Sequence, residues 1–250
     1  MDVPIKDFDT LEATIDWSYN LLNEQEQLLF ARMAVFGGSC TLDAIKSICA
    51  DANLNDKCLM GLIGSLVAQS LVVYAGHRRY HQLETIKAYA LKKLATFCNS
   101  KHWHERHINF YLALAERAEP ELSKANQKAW LDGLEEEHDN FRVALDRSLE
   151  HNVPSKGLKL AGALWFFWYI RGHWKELESL LEESLDEADQ KNIAKGLYAA
   201  AAIAQNQGEL DVAETVALRS LEIAEALNDV QQKADAQNLM GSINLKSGRH

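Results

Sequence analysis

Leu71-Val72-Val73-Tyr74-Ala75-Gly76-His77-Arg78-Arg79-Tyr80-His81-Gln82-Leu83 is the stretch where the chain changes its period. Leu71 to Tyr74 is apolar and rich in β-branched and aromatic residues, which suit a pleated surface. Ala75-Gly76-His77 reads as a tight turn. Arg78 to Leu83 reads as the returning strand. The stretch predicts one β-hairpin in a sequence whose other segments carry helical periodicity.

On its N-terminal side, Thr10 to Leu22 places Leu11, Ile15, Trp17, Leu21 and Leu22 at near-helical spacing. Asn23 is a helix-capping residue and Glu26 follows three positions later, the pattern in which each side chain bonds the other's backbone. The helix they begin carries Leu28, Leu29, Met33 and Ala34, and ends at Gly37-Gly38. Thr41 caps a short helix with Leu42, Ile45, Ile48 and Cys49 inward. A fourth helix spans about Asp56 to Gln69. After the hairpin, helix resumes at Glu84 and runs to about Phe97. Helices, a hairpin and a flanking helix make a winged-helix module over residues 1–98.

A helical linker is expected over residues 99–154. Trp103, Ile108, Tyr111, Leu112 and Ala115 form one apolar stripe, and Trp130, Leu134, Phe141, Leu145 and Leu149 another. Breaks are expected near Pro120 and at Asn152-Val153-Pro154-Ser155. Residues 155–250 repeat. Gly172, Gly208 and Gly248 each follow an apolar or alanine-rich helix, at intervals of 36 and 40 residues. A fixed-period helix–turn–helix unit marks an α-solenoid. The last unit stops after its first helix, at His250, which reads as truncation. The predicted fold class is mainly α: a winged helix, a helical linker and a solenoid of tetratricopeptide-like repeats.

Composition narrows the function. Hydrophobic residues are 47% and charged residues 25%, with only 3 Pro, so ordinary globular packing is expected. The net charge is -10. Residues 1–96 hold 9 Lys+Arg against 11 Asp+Glu, and the remainder 17 against 25. An acidic chain is repelled by phosphate backbones unless it gathers a basic patch, so nucleic acid is disfavoured. Cys40, Cys49, Cys58 and Cys98 lie among apolar residues without a Cys-x-x-Cys pair, as small core residues in a reducing compartment do. The N-terminus has no signal-peptide pattern, and the most apolar run, Ala161 to Ile170, is too short for a bilayer. A soluble cytoplasmic protein is expected, with no membrane partner.

Several segments, taken in order, resemble a known family. Thr10-Leu11-Glu12-Ala13-Thr14-Ile15-Asp16-Trp17-Ser18-Tyr19 resembles the start of the winged helix in bacterial STAND regulators, signal-transduction ATPases with numerous domains. The likeness continues through Phe30 to Gly38, Ser70-Leu71-Val72, Tyr80 to Ala90 and Ala113 to Glu116. It resumes at Glu135-Glu136-Glu137-His138-Asp139-Asn140-Phe141-Arg142 and Leu160 to Trp165. The resemblance implies a large NB-ARC- and LuxR-like transcription regulator. Its winged helix would pack against a nucleotide-binding NB-ARC domain in cis, and its repeats would sense a protein, a peptide or a small-molecule inducer. Gln207-Gly208-Glu209-Leu210-Asp211-Val212-Ala213 is similar to a tetratricopeptide turn, with Ala201 and Gly241 at the small-residue packing position. Trp165 in the first unit departs from that pattern. The sequence has no Gly-x-x-x-x-Gly-Lys-Ser/Thr loop. ATP or ADP therefore belongs to a parent protein's other domain, and no cofactor is expected in this chain. Where the family's nucleotide sensor is a histidine, this chain has Leu83, and the role is not carried over.

Residue chemistry points the same way. His104 and His107 share a helix face, but two ligands do not make a metal site, and a solvated helix start is expected there. Glu135-Glu136-Glu137-His138-Asp139 reads as a charged solvated face, because consecutive carboxylates on a helix fan out. No activated nucleophile is evident, so no enzyme is expected. In the repeats, Phe166, Tyr169, Tyr198, Gln205, Asn206 and Asn238 fall on the face expected to form a concave, partner-binding groove. The alternative function is a stand-alone DNA-binding winged helix with a repeat tail. Lys57 on the fourth helix and His77, Arg78 and Arg79 on the wing would then contact DNA. That set is thin for reading bases or neutralising phosphates.

Overall fold

The computed structural model describes residues 6–97, 100–151, 153–173 and 187–248. Cys98 and Trp174 lie outside the described residues, as do the side chains of Leu149, Trp165 and Tyr169. The architecture is mainly α with one small antiparallel sheet, as the periodicity predicts. Two compact units are formed, one from residues 1–111 and 135–147, the other from 112–134 and 148–250. Residues 135–147 belong to the first unit although they follow part of the second in sequence.

The first unit opens with α1 (Lys6–Asn20) and α2 (Glu24–Arg32). The box that starts α2 forms as its sequence demands. The Asn23 side chain accepts from the Glu26 amide at 3.0 Å, and Glu26 accepts from the Asn23 amide at 2.9 Å. After a single tight turn, Met33–Val35, the chain reaches β1 (Cys40–Thr41) and α3 (Leu42–Cys49). Thr41 caps α3 by accepting from the Ala44 amide at 3.1 Å. α4 (Asp56–Ala68) follows, then β2 (Val73–Gly76), β3 (Arg79–His81) and α5 (Glu84–Thr96). A hairpin forms in the expected stretch, with its turn at His77-Arg78 rather than at Ala75-Gly76-His77. β1 is additional: it pairs with β3, Cys40 opposite Tyr80 and Thr41 opposite Arg79, giving the strand order β1-β3-β2. Two residues cannot display a period of two, so this strand is invisible in the sequence.

Leu29, Phe30, Ile45, Ile48, Leu59, Ile63 and Leu66 fill the core of this unit. Tyr19, Phe30 and Tyr89 tie α1, α2 and α5 together, with ring centroids 5.5 to 6.3 Å apart. Arg32 is buried as well. It donates to the Cys49 carbonyl at 2.7 Å, pairs with Asp51 at 2.9 Å, and lies 3.9 Å from the centre of the Trp103 ring. A buried cation is tolerated there because both its charge and its donors are met.

The remaining helices are α6 (Ser100–Ala118), α7 (Gln127–Glu136), α8 (His138–Glu150), α9 (Pro154–Arg171), α10 (Glu187–Gln207), α11 (Leu210–Ala226) and α12 (Val230–Ser247). In the second unit α10 packs on α9, α11 and α12. Gly172, Gly208 and Gly248 all have left-handed φ, between 71° and 84°, at the ends of α9, α10 and α12. That conformation stops a helix at little cost only where there is no Cβ. Small residues fill the contact between helices: Ala194, Ala201, Ala204, Ala213, Ala217 and Ala224 are at most 1% exposed.

Candidate functional site

The densest polar arrangement in the first unit lies where the wing meets the start of α8. Arg79 leaves β3 with its guanidinium turned inward. It donates to the Glu137 carboxylate at 2.7 Å, to the Ser39 hydroxyl at 2.8 Å, and to the carbonyls of Ser39 and Glu136 at 2.9 and 3.0 Å. The other Glu137 oxygen accepts from the Tyr111 hydroxyl at 3.0 Å and from the Asn140 amide at 2.9 Å. Asn140 also accepts from the Gly37 amide at 2.8 Å and donates to the Ser39 carbonyl at 2.8 Å. Arg79, Tyr111, Glu137 and Asn140 are all buried. Burial, the largest single influence, lowers the Arg79 pKa, but the bond to Glu137 and the charges of Glu137 and Glu136 together outweigh it and hold the guanidinium above its ordinary value. Burial, with the Glu137 carboxylate beside it, pushes the Tyr111 phenol well up.

Glycine makes the clamp sterically feasible. A Cβ on Gly37 would lie 2.1 Å from the Asp139 carbonyl oxygen, and one on Gly38 3.0 Å from the Asp139 carboxylate. At Gly37 the loop after α2 can therefore touch the backbone of α8 only with a bare α-carbon, whereas at Gly38 the crowding is with the Asp139 side chain.

Three readings of the sequence are corrected here. Arg79 is not a surface cation available to phosphate; it is 8% exposed and occupied by Glu137 and Glu136. The acidic run is not one solvated face. The helix breaks at Glu137, between α7 and α8, and the break turns that carboxylate into the core. His104 and His107 are corrected in the same way, since they are 7% and 1% exposed rather than solvated. The His107 ring packs against Phe36 and Tyr111, and burial pushes its pKa down to about 3. Among the described residues no group of three or more His, Cys, Asp and Glu is placed to hold a metal ion.

Beside the clamp is a cavity of about 400 Å³. Met33, Phe36 and Cys40 supply apolar wall; His81, Gln82, Glu84 and Lys87 supply polar groups. Lys87 donates to the Gly37 carbonyl at 3.1 Å. Leu83 is 50% exposed.

The surface that a DNA reader would use is nearly bare of cations. Lys57 is exposed at the start of α4, followed on the exposed side by Cys58, Met60, Gly61, Gly64 and Ala68. On the wing, His77 and Arg78 are exposed. Both adopt left-handed φ, 48° and 59°, and the Arg78 amide donates to the Tyr74 hydroxyl.

In the repeats, the six residues expected in a groove separate. Asn206 on α10 and Asn238 on α12 are exposed, and Tyr198 is half-buried. Phe166 is 7% exposed and belongs to the core with Phe167 and Trp168. Gln205 is also buried, because its amide donates to the Ser242 hydroxyl at 2.8 Å and ties α10 to α12. Tyr169 lies outside the described side chains. Tyr111, Glu137 and Asn140 escaped the reading of the sequence as site residues. The available signal was Arg79 itself, a charge beside a hairpin turn whose partner Glu137 lies more than 50 residues away.

No protein-family model matches the sequence. Over 181 residues the chain is 36% identical to a protein of Mycobacterium bovis named as a candidate HTH-type transcriptional regulator, and equally to one of Mycobacterium tuberculosis. The chain is similar to candidate transcription regulators. The match takes in 70% of this chain but only 20% of each relative, so the chain spans about a fifth of their length. A further protein of M. bovis, described as uncharacterized, is 36% identical over 90 residues, 34% of this chain and 23% of that protein. Among solved structures, a STAND protein with a tetratricopeptide repeat sensor from Pyrococcus horikoshii aligns over 98% of this chain and 38% of its own, at 15% identity and a TM-score of 0.40. Among the described residues, no helix is long and apolar enough to cross a membrane.

Proposed function

We propose that this chain is a non-catalytic regulatory segment of a STAND-type transcription regulator. The winged-helix unit acts as a packing and switching module, and the repeats act as the sensor or partner-binding surface. The observation that carries this reading is the direction of Arg79. A wing built to grip DNA keeps its cations outward, whereas this one buries an arginine against Glu137 and anchors the hairpin to α8. The regulatory names of the mycobacterial relatives support the same class. In a parent protein, an NB-ARC domain in cis would hold ATP or ADP, and a signal on the repeats would shift how the winged helix packs on it.

The alternative, a DNA-reading winged helix, keeps Lys57, His77 and Arg78 as its contacts, all of them exposed. The two readings separate in one titration, with labelled duplex DNA and the purified chain followed by fluorescence anisotropy at rising salt. The proposed function expects no saturable binding near physiological salt, about 0.15 M. Saturable binding whose log K falls linearly with log salt would replace it by the alternative.

A further inference from the structure

The cavity beside the clamp is built wholly from the first unit, by the loop after α2, the wing and the start of α5. At about 400 Å³ it falls within the size of small-molecule sites, roughly 300 to 1,000 Å³. Its residues divide by chemistry. Met33, Phe36, Cys40 and Ala75 give it an apolar wall. Lys87 gives it a cation, and the exposed Glu84 a carboxylate. The Gln82 amide is already engaged, since it donates to the Phe30 carbonyl at 3.0 Å.

Lys87 is the residue whose surroundings are unexplained. Helix α5 carries Lys87, Lys92 and Lys93. Lys92 pairs with Glu12 at 2.8 Å, and Lys93 with Asp16 at 3.2 Å. Lys87 is half-buried, and among the described residues it pairs with no carboxylate. Acids are not scarce in this chain, which has 36 Asp+Glu against 26 Lys+Arg. Glu84 stands one turn away on the same helix, a spacing at which opposite charges can meet, and the two do not pair. The single bond of Lys87, to the Gly37 carbonyl, uses one ammonium hydrogen and leaves its charge unmatched. A half-buried cation on the wall of a cavity is suited to an anion.

Two features fix the class of that anion. One ammonium, with the Glu84 carboxylate on the same cavity, matches a single negative charge. A phosphate carries more charge and is favoured where several cations gather. The apolar wall gains nothing from water and gains from a hydrocarbon body. We propose that this cavity binds a small organic monocarboxylate. Its carboxylate sits on Lys87, and its apolar body lies against Met33, Phe36, Cys40 and Ala75. The ligand shares Lys87 with the Gly37 carbonyl, and the Gly37 amide is held by Asn140 of the clamp. Occupancy therefore bears on the loop that joins the wing side of the unit to α8. The site is separate from the repeats and does not depend on what they sense.

The test is isothermal titration calorimetry on the full chain with phenylacetate, hydrocinnamate and isovalerate. Each acid is compared with its neutral amide and with acetate. At least one acid should saturate a single site per chain. Its amide, which lacks the charge, and acetate, which lacks the body, should each bind about tenfold more weakly or worse. Lys87→Met should weaken the acid by about tenfold and leave the amide unchanged. Ala75→Trp, at an exposed strand position, should block acid and amide alike. Circular dichroism should report both variants folded; if Lys87→Met unfolds, the comparison of acid with amide on the native chain decides alone. Failure of all three acids to saturate overturns the proposal. Equal binding of acid and amide, acetate as tight as the acids, or acid binding that survives in folded Lys87→Met overturns it as well. So does phenyl phosphate binding more tightly than phenylacetate through Lys87, since phosphate would then be the ligand class.

Discussion

Glu137 accepts from three side chains at once: Arg79, Tyr111 and Asn140. Each is buried, so removing the carboxylate leaves a cation and two donors without water to replace it. Glu137→Ala should cost about 3–5 kcal/mol in urea unfolding. The double variant Arg79→Met, Glu137→Leu should recover most of that loss, because the uncompensated charge goes with its partner. His107 gives a pH dependence of definite sign. Its folded pKa lies near 3 against an ordinary value of 6.5, so the unfolded chain binds the extra proton. Stability from this residue is complete above pH 6.5 and falls as the pH drops, by up to about 1.4 kcal/mol per unit. Urea midpoints at pH 7, 6 and 5 should decline in the native chain and decline less in His107→Phe. An unchanged slope would show that another group binds the proton.

Between elements, two kinds of glycine can be told apart by what surrounds them. Gly37 lies against the backbone of α8, where a methyl group has no room. Gly61 and Gly64 sit inside α4 with nothing within 4 Å of a built Cβ among the described residues. Gly37→Ala should therefore lower stability by about 1–3 kcal/mol. Gly61→Ala should raise it by about 1 kcal/mol through helix propensity alone. Thermal unfolding followed by circular dichroism checks both, and equal effects would overturn the packing argument. The sequence told these glycines apart only in part. Gly37-Gly38 was legible as a helix stop, but its approach to Asp139 spans roughly a hundred residues of chain and leaves no local trace. The caps were legible for the opposite reason. Asn23 and Glu26, or Thr41 and Ala44, meet within three residues, so spacing alone predicts the bond.

For the molecule as a whole, charge is the property the sequence states most directly. A net charge of -10, with the excess in the second part of the chain, weakens every encounter with a phosphate backbone. The burial of Arg79 removes one more of the few cations on the wing. Duplex binding, if it occurred, would rest on Lys57, His77 and Arg78. With so few phosphate contacts, its affinity should change with salt by a slope of about -2 to -3 on logarithmic axes, far shallower than that of dedicated DNA binders. The mainly α architecture, the hairpin and the glycine-ended repeats all follow from periodicity and were legible. The composition of the two units was not, because residues 135–147 join the first unit across an intervening segment of helix.

Most helices, the caps at Asn23 and Thr41, the hairpin and the repeat turns could be read from the chain alone, though the break at Glu137 could not. Each depends on residues within a few positions of one another, so spacing carries the information. Which polar residues are buried was settled only by the folded molecule. Arg79 and Glu137 look like surface charges in any local window, and Phe166 and Gln205 look free to face a groove. Long-range packing removes water from some of these groups and supplies partners for their donors. It made the first pair a clamp and the second pair core.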